Sequence, residues 1–174
     1  IGGRERYGTG SPEGVVTAPV GTYYTDTVGT TGAWRWLKKT GTGNTGWQVT
    51  EGDTGKRNLA SLLAPGVTGY LIIQRVNQIL FIEGQVSGIA GGTVITLPDG
   101  FKTGSSGLRW PILAIHASAP YVARAYTADI GGSDLIVQGV TGWTPTTATS
   151  WQITASCALK SNNAWPTTLP GVAS

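Results

Sequence analysis

From residue 70 onward the chain alternates between apolar and polar positions with the period of two that marks a strand. "YLIIQRVNQILFIEGQV" predicts two strands joined at Arg75, Val76 and Asn77. On the second, Leu80, Ile82 and Val86 alternate against Phe81, Glu83 and Gln85. "GTVITLPDGF" predicts a short strand stopped by Pro98-Asp99-Gly100, because proline has no amide to give the ladder. "PILAIHAS", "PYVARAYTADI", "SDLIVQGV" and "SWQITASCAL" complete a set of about seven short strands without an amphipathic helix, the pattern of an antiparallel sandwich or jelly roll. The earlier part differs. Its apolar runs are short, and turn signals such as Gly10-Ser11-Pro12 and Gly52-Asp53-Thr54-Gly55 recur every few residues. Between the two parts, "RNLASLLAPG" admits one helical turn, with Leu59, Leu62 and Leu63 at helical spacing and Pro65-Gly66 to stop it.

Composition sharpens this reading. Only 12% of the 174 residues are charged, against roughly 25% in ordinary soluble domains. The abundance of β-branched and aromatic residues excludes ordinary disorder, so the thinly charged surface points to a homo-oligomer. A net charge of +3, scattered along the chain, gives no case for nucleic acid. No apolar run is long enough for a membrane helix, and no signal peptide survives in this piece. The chain starts with Ile and has no Met, which suggests a piece of a longer polypeptide.

Candidate chemistry is sparse. Cys157 and His116 are the single Cys and His. No internal disulfide and no zinc ligand set follows from them, and no cofactor or metal is expected. His116 lacks a Gly-x-Ser-x-Gly partner and reads as structural, and Cys157 alternates with Ile153 and Ala155 as a buried small residue. Lys38-Lys39 and Lys56-Arg57 read as solvated edges. A glycosidase pair, with carboxyls roughly 5 to 9.5 Å apart, could be drawn from Glu83, Asp99, Asp129 and Asp134. Asp99, Asp129 and Asp134 are also ordinary turn residues, and "DIGGSD" lacks the spacing of a calcium loop. Sugar rings stack on aromatic faces and hydrogen-bond through their hydroxyls. On that ground Tyr121, Arg124, Tyr126 and Trp143, with Asp129 and Asp134 on a nearby loop, form the candidate glycan site.

The segment "GSPEGVVTAPVGTYYTDTVGTTGAWRWLKKTGTGNTGWQVTEGDTGKRNL" resembles the shaft or shoulder module of tail fibres and minor tail proteins from phages of Gram-positive, especially actinobacterial, hosts. The matching elements run in order from Gly10-Ser11-Pro12-Glu13-Gly14 through Val16-Thr17-Ala18-Pro19 and Tyr24-Thr25-Asp26. They continue with Trp36 and Lys38, Gly41-Thr42-Gly43-Asn44-Thr45-Gly46-Trp47 and Gly52-Asp53-Thr54-Gly55. "QRVNQILFIEGQVSG" followed by "GTVITLPDGFKTGSS" is similar to the head domains of such fibres. The resemblance implies an all-β chain with an extended β-rich shaft or shoulder module at 1–57, a linker at 58–69 and a β-sandwich head at 70–174, assembled as a homotrimer. It implies a non-enzymatic receptor-binding protein of the virion tail. Its partners would be other tail or baseplate proteins and, at the host surface, wall polysaccharide or teichoic acid, without membrane insertion. A purely structural fibre segment and a glycan depolymerase are the rival readings. Trp34 and Trp36, on either side of Arg35, are expected to share one strand face and pack on Trp47 or an adjacent chain, with the Gly-Thr run as the hairpin loop.

Overall fold

The computed structural model describes residues 4–104, 109–116, 119–128, 132–139, 144–159 and 163–174. Two sheets carry the chain. The first has the order β1-β2-β3-β4, from β1 (Glu5–Gly8), β2 (Tyr23–Asp26), β3 (Ala33–Lys38) and β4 (Trp47–Gly52). β1 runs parallel to β2 and the other pairs are antiparallel. The second sheet has nine strands in the order β13-β5-β6-β7-β12-β9-β10-β11-β8. They are β5 (Arg57–Asn58), β6 (Thr68–Val76), β7 (Ile79–Ser87), β8 (Gly92–Thr96), β9 (Arg109–His116), β10 (Ala119–Ala128), β11 (Asp134–Gln138), β12 (Ser150–Ala158) and β13 (Val172–Ala173). A single 3-10 turn, Ala60–Leu62, occupies the stretch where one helical turn is expected.

Every neighbouring pair in the nine-stranded sheet is antiparallel. One buried cluster joins Leu71, Ile73, Leu80 and Ile82 of β6 and β7 to Val94, Ile95, Leu135 and Val137 of β8 and β11. Those strands lie toward opposite ends of the sheet order, so the sheet folds over on itself. The two layers of the expected sandwich are halves of one continuous sheet. The amide of Ala64, just before β6, donates to the carbonyl of Val94 in β8 at 2.9 Å and draws the two ends together. Trp151 of β12 is wholly buried in this core, and its indole donates to the carbonyl of Ile89 at 3.1 Å.

The β6–β7 hairpin has the expected alternation: Leu80, Ile82 and Val86 are buried, while Phe81 and Gln85 are exposed. Its turn is tighter than the sequence suggests. The link is Asn77-Gln78, with Asn77 at φ 52, a value this residue tolerates in a two-residue hairpin turn. Arg75 and Val76 are strand residues, and Arg75 is fully buried. Its guanidinium donates to the carbonyls of Asn77 (2.9 Å), Gly100 (2.6 Å), Ala164 (2.6 Å) and Asn163 (3.0 Å) and stacks 4.6 Å from the centre of the Trp165 ring. Burial lowers its pKa to about 10, so it stays charged at neutral pH.

Two expectations for the first sheet need correction. Trp34 and Trp36 do not share a face: a register shift on either side of Arg35 turns Trp34 outward, 44% exposed, while Trp36 is buried. Lys38 is no solvated edge, because it is completely buried. The Gly-Thr run does form the β3–β4 loop, and it wraps the Lys38 ammonium, which donates to the carbonyls of Gly43 and Thr45 and lies 5.6 Å from the Trp47 ring centre. Trp36 and Trp47 pack in one core with Tyr24, Val49 and Trp165. Trp165 comes from the C-terminal segment. It enters this core from the far end of the sequence and donates to the carbonyl of Thr31 at 2.9 Å.

Candidate functional site

The outer face of β10 and β11 carries part of the site read from sequence. Ala123 and Ala125 are buried, and Arg124 between them is half-buried. Arg124 stands opposite Gln138 and donates to its side-chain oxygen at 3.2 Å. The Nε of Arg124 is buried and has no acceptor among the described residues. Asp134 opens β11 opposite Ala128 and accepts a hydrogen bond from the Thr96 hydroxyl at 2.7 Å. Arg124 and Asp134 share a face, since Leu135 and Val137 alternate inward. Four residue steps separate their levels, about 13 Å along the strands, so the structure aligns them without pairing them. Tyr121 stands opposite Ala114 of β9, and Tyr126 opposite Ile136 of β11 and Arg109 of β9. Asp129 and Trp143 lie outside the described residues.

A better-shaped site lies on the outer face of β5, β6, β7 and β12. There a cavity of about 190 Å3 is lined by Lys56, Ile72, Gln74, Phe81, Glu83 and Thr154. Register assembles it: Gln74 faces Phe81, Ile72 faces Glu83, and Glu83 faces Thr154. Phe81 is 42% exposed, an aromatic ring held at a polar-parity position by the strand's strict alternation. Lys56 Nζ lies 2.6 Å from Glu83 Oε1. Both partners are solvated, so the pair adds at most about 1 kcal/mol to stability and its groups remain open to a ligand. The Gln74 amide donates to both oxygens of Asp53, at 2.8 and 3.0 Å, which fixes one wall. An apolar ring face beside an ammonium, a carboxylate and a hydroxyl can stack on a sugar and hydrogen-bond its hydroxyls. Composition did not single this site out; the signal available was Phe81 standing where alternation demands a polar residue.

Of the other carboxylates read from sequence, Glu83 belongs to the groove just described, and Asp99 forms a solvated pair with Lys102 at 2.6 Å. Cys157 packs against the core, and burial raises its thiol pKa to about 11, which keeps it protonated and unreactive at neutral pH. For His116 the backbone pairing with Ala119 is described. Among the described residues, no three His, Cys, Asp or Glu side chains stand together as metal ligands.

No protein-family model and no curated protein matches the chain. Among solved structures, the chain is similar to the head domain of phage bIL170, described among the receptor-binding domains of lactococcal phages. The two are 18% identical with a TM-score of 0.44, over 63% of this chain and 98% of that one.

Proposed function

We propose that the chain is the host-attachment portion of a phage tail and that its β head binds a cell-surface glycan without cleaving it. The observation that carries this reading is the groove in which exposed Phe81 stands beside the Lys56–Glu83 pair and Thr154. The ordered motifs of residues 10–55, which resemble fibre shoulder modules, supply the context. Glycan in the groove would stack on Phe81 while Lys56, Glu83 and Thr154 meet its hydroxyls. Arg124, half-buried opposite Gln138 on the outer face of β10 and β11, is the second contact candidate.

The test is binding to purified Gram-positive cell walls, with and without teichoic acid. The unmodified chain should bind saturably and release no reducing ends, Phe81→Ala should weaken binding about tenfold or more, and Arg124→Ala should weaken it less. Walls that bind Phe81→Ala and the unmodified chain equally would remove the groove from the reading. No binding to any wall would leave the chain as a structural fibre segment.

A further inference from the structure

The face that carries the groove continues along β6, β7 and β12. Two residues on from Ile72, Glu83 and Thr154 in register, Tyr70 of β6 stands opposite Gln85 of β7, which stands opposite Gln152 of β12. These three face outward, since Leu71, Val86, Trp151 and Ile153 beside them in sequence are buried. Tyr70 is 46% exposed, close to the 42% of Phe81, so both aromatic side chains keep surface that a ligand can cover. They lie on adjacent strands, four residue steps apart in register, a separation of about 14 Å.

The Tyr70 end of the face is tightly built. A Cβ on Gly69, at φ +114, would collide with the carbonyl of Gln85, and one on Gly84 would collide with that of Tyr70, so both glycines are what lets β6 and β7 pair here. The Gln85 amide donates to the Ser150 hydroxyl at 2.8 Å and ties in β12. A ring already held in place costs little to order when a ligand arrives. Between the two rings the outward positions are Ile72, Glu83, Gln85, Thr154 and Gln152, and Lys56 offsets the one charge among them. Amides, a hydroxyl and a balanced ion pair between two rings suit a hydroxyl-rich ligand without net charge. A polyanion would meet Glu83 with no surplus cation beside it.

We propose that Tyr70 is a second stacking subsite and that this face binds a run of neutral sugars laid along the strands from Phe81 to Tyr70. A single ring in the groove cannot reach across about 14 Å, whereas a chain of about four can. The inference rests on the groove reading and adds to it a chain length and a charge class.

The probe is neutral polysaccharide from the Gram-positive walls, freed of teichoic acid, cut by mild acid and sorted by length, with binding read by calorimetry. Fragments of about four or more sugars should bind about tenfold tighter than one or two sugars, the worth of one added aromatic stack. Tyr70→Ala should abolish that gain, and Tyr70→Phe, which keeps the ring, should retain it. Phe81→Ala should weaken short and long fragments alike. Isolated teichoic acid, a polyanion, should not compete. Equal affinity at every length, or a length gain that survives Tyr70→Ala, overturns the second subsite and leaves the groove standing. Competition by teichoic acid overturns the neutral charge class. Failure of every fragment to bind, or binding indifferent to Phe81→Ala, removes the groove and the second subsite with it.

Discussion

Asp26 shows how one side chain organises a region otherwise short of charge. Burial acts to raise its pKa, but hydrogen bonds from the amides of Val28, Gly10 and Gly29 outweigh it, and the net shift is downward from 3.8. A carboxyl whose folded pKa is depressed contributes stability that is complete above its unfolded value and is lost as pH falls through the folded one. The contribution of Asp26 should therefore persist at neutral pH, begin to fall below about pH 4 and be lost as pH passes through the lower folded value. Asp26→Asn should lower neutral-pH stability by about 1 to 3 kcal/mol and flatten the acid limb of unfolding. Tryptophan fluorescence followed against urea at several pH values checks both effects, and an unchanged acid limb in the variant would refute the assignment.

The β3–β4 hairpin is the element where sequence chemistry and geometry are most tightly matched. Gly46 sits at φ +92, a conformation that side chains rarely adopt, and a Cβ there would lie 2.4 Å from Thr40 Oγ1 and 2.5 Å from its carbonyl. Gly46→Ala should therefore cost about 1 to 3 kcal/mol through strain alone. It should also loosen the loop over Lys38, exposing residues 41–45 to protease, and limited proteolysis with mass mapping reads this directly. The "WRW" run teaches the opposite lesson. Ideal alternation would put both tryptophans on one face, but the bulge at Arg35 separates them, and Arg35 there lies over Tyr23 and within 3.8 and 3.7 Å of Glu5 and Glu51.

Across the whole molecule the low charge leaves apolar side chains in solvent. Among residues 7–34, Tyr7, Val15, Val20, Val28 and Trp34 are 44% to 75% exposed. We propose that the homotrimer implied by the sequence resemblance forms through these exposed side chains, the kind of surface an assembly would cover. Light scattering should give a particle about three times the 18.0 kDa of one chain. Trp34→Asp should shift the population toward monomer without unfolding it, since Trp34 lies outside the core of its own chain. A monomeric unmodified chain would end this assembly proposal while leaving the binding face to be tested on its own.

By itself the sequence determined the all-β class, the approximate positions of β6 to β12 and the inward face of β7, since alternation at Leu80, Ile82 and Val86 records which side meets a core. It also determined that the Gly-Thr run would be a loop, while Cys157, read as buried, is half-buried against the core. Only the tertiary structure decided what depends on contacts between distant residues. Arg75 reads as a turn residue because arginine is usually solvated, yet carbonyls from Gly100, Asn163 and Ala164 converge on it from the far side of the fold. Lys38 is buried by a local arrangement instead, its ammonium satisfied by carbonyls of its own hairpin loop. The groove at Phe81 needs three strands in register with Lys56 beside them, and the core of the first sheet needs Trp165 brought back to Trp36 across more than half the chain. Periodicity records which face of a strand is inward; it carries no information about which distant segment closes over it.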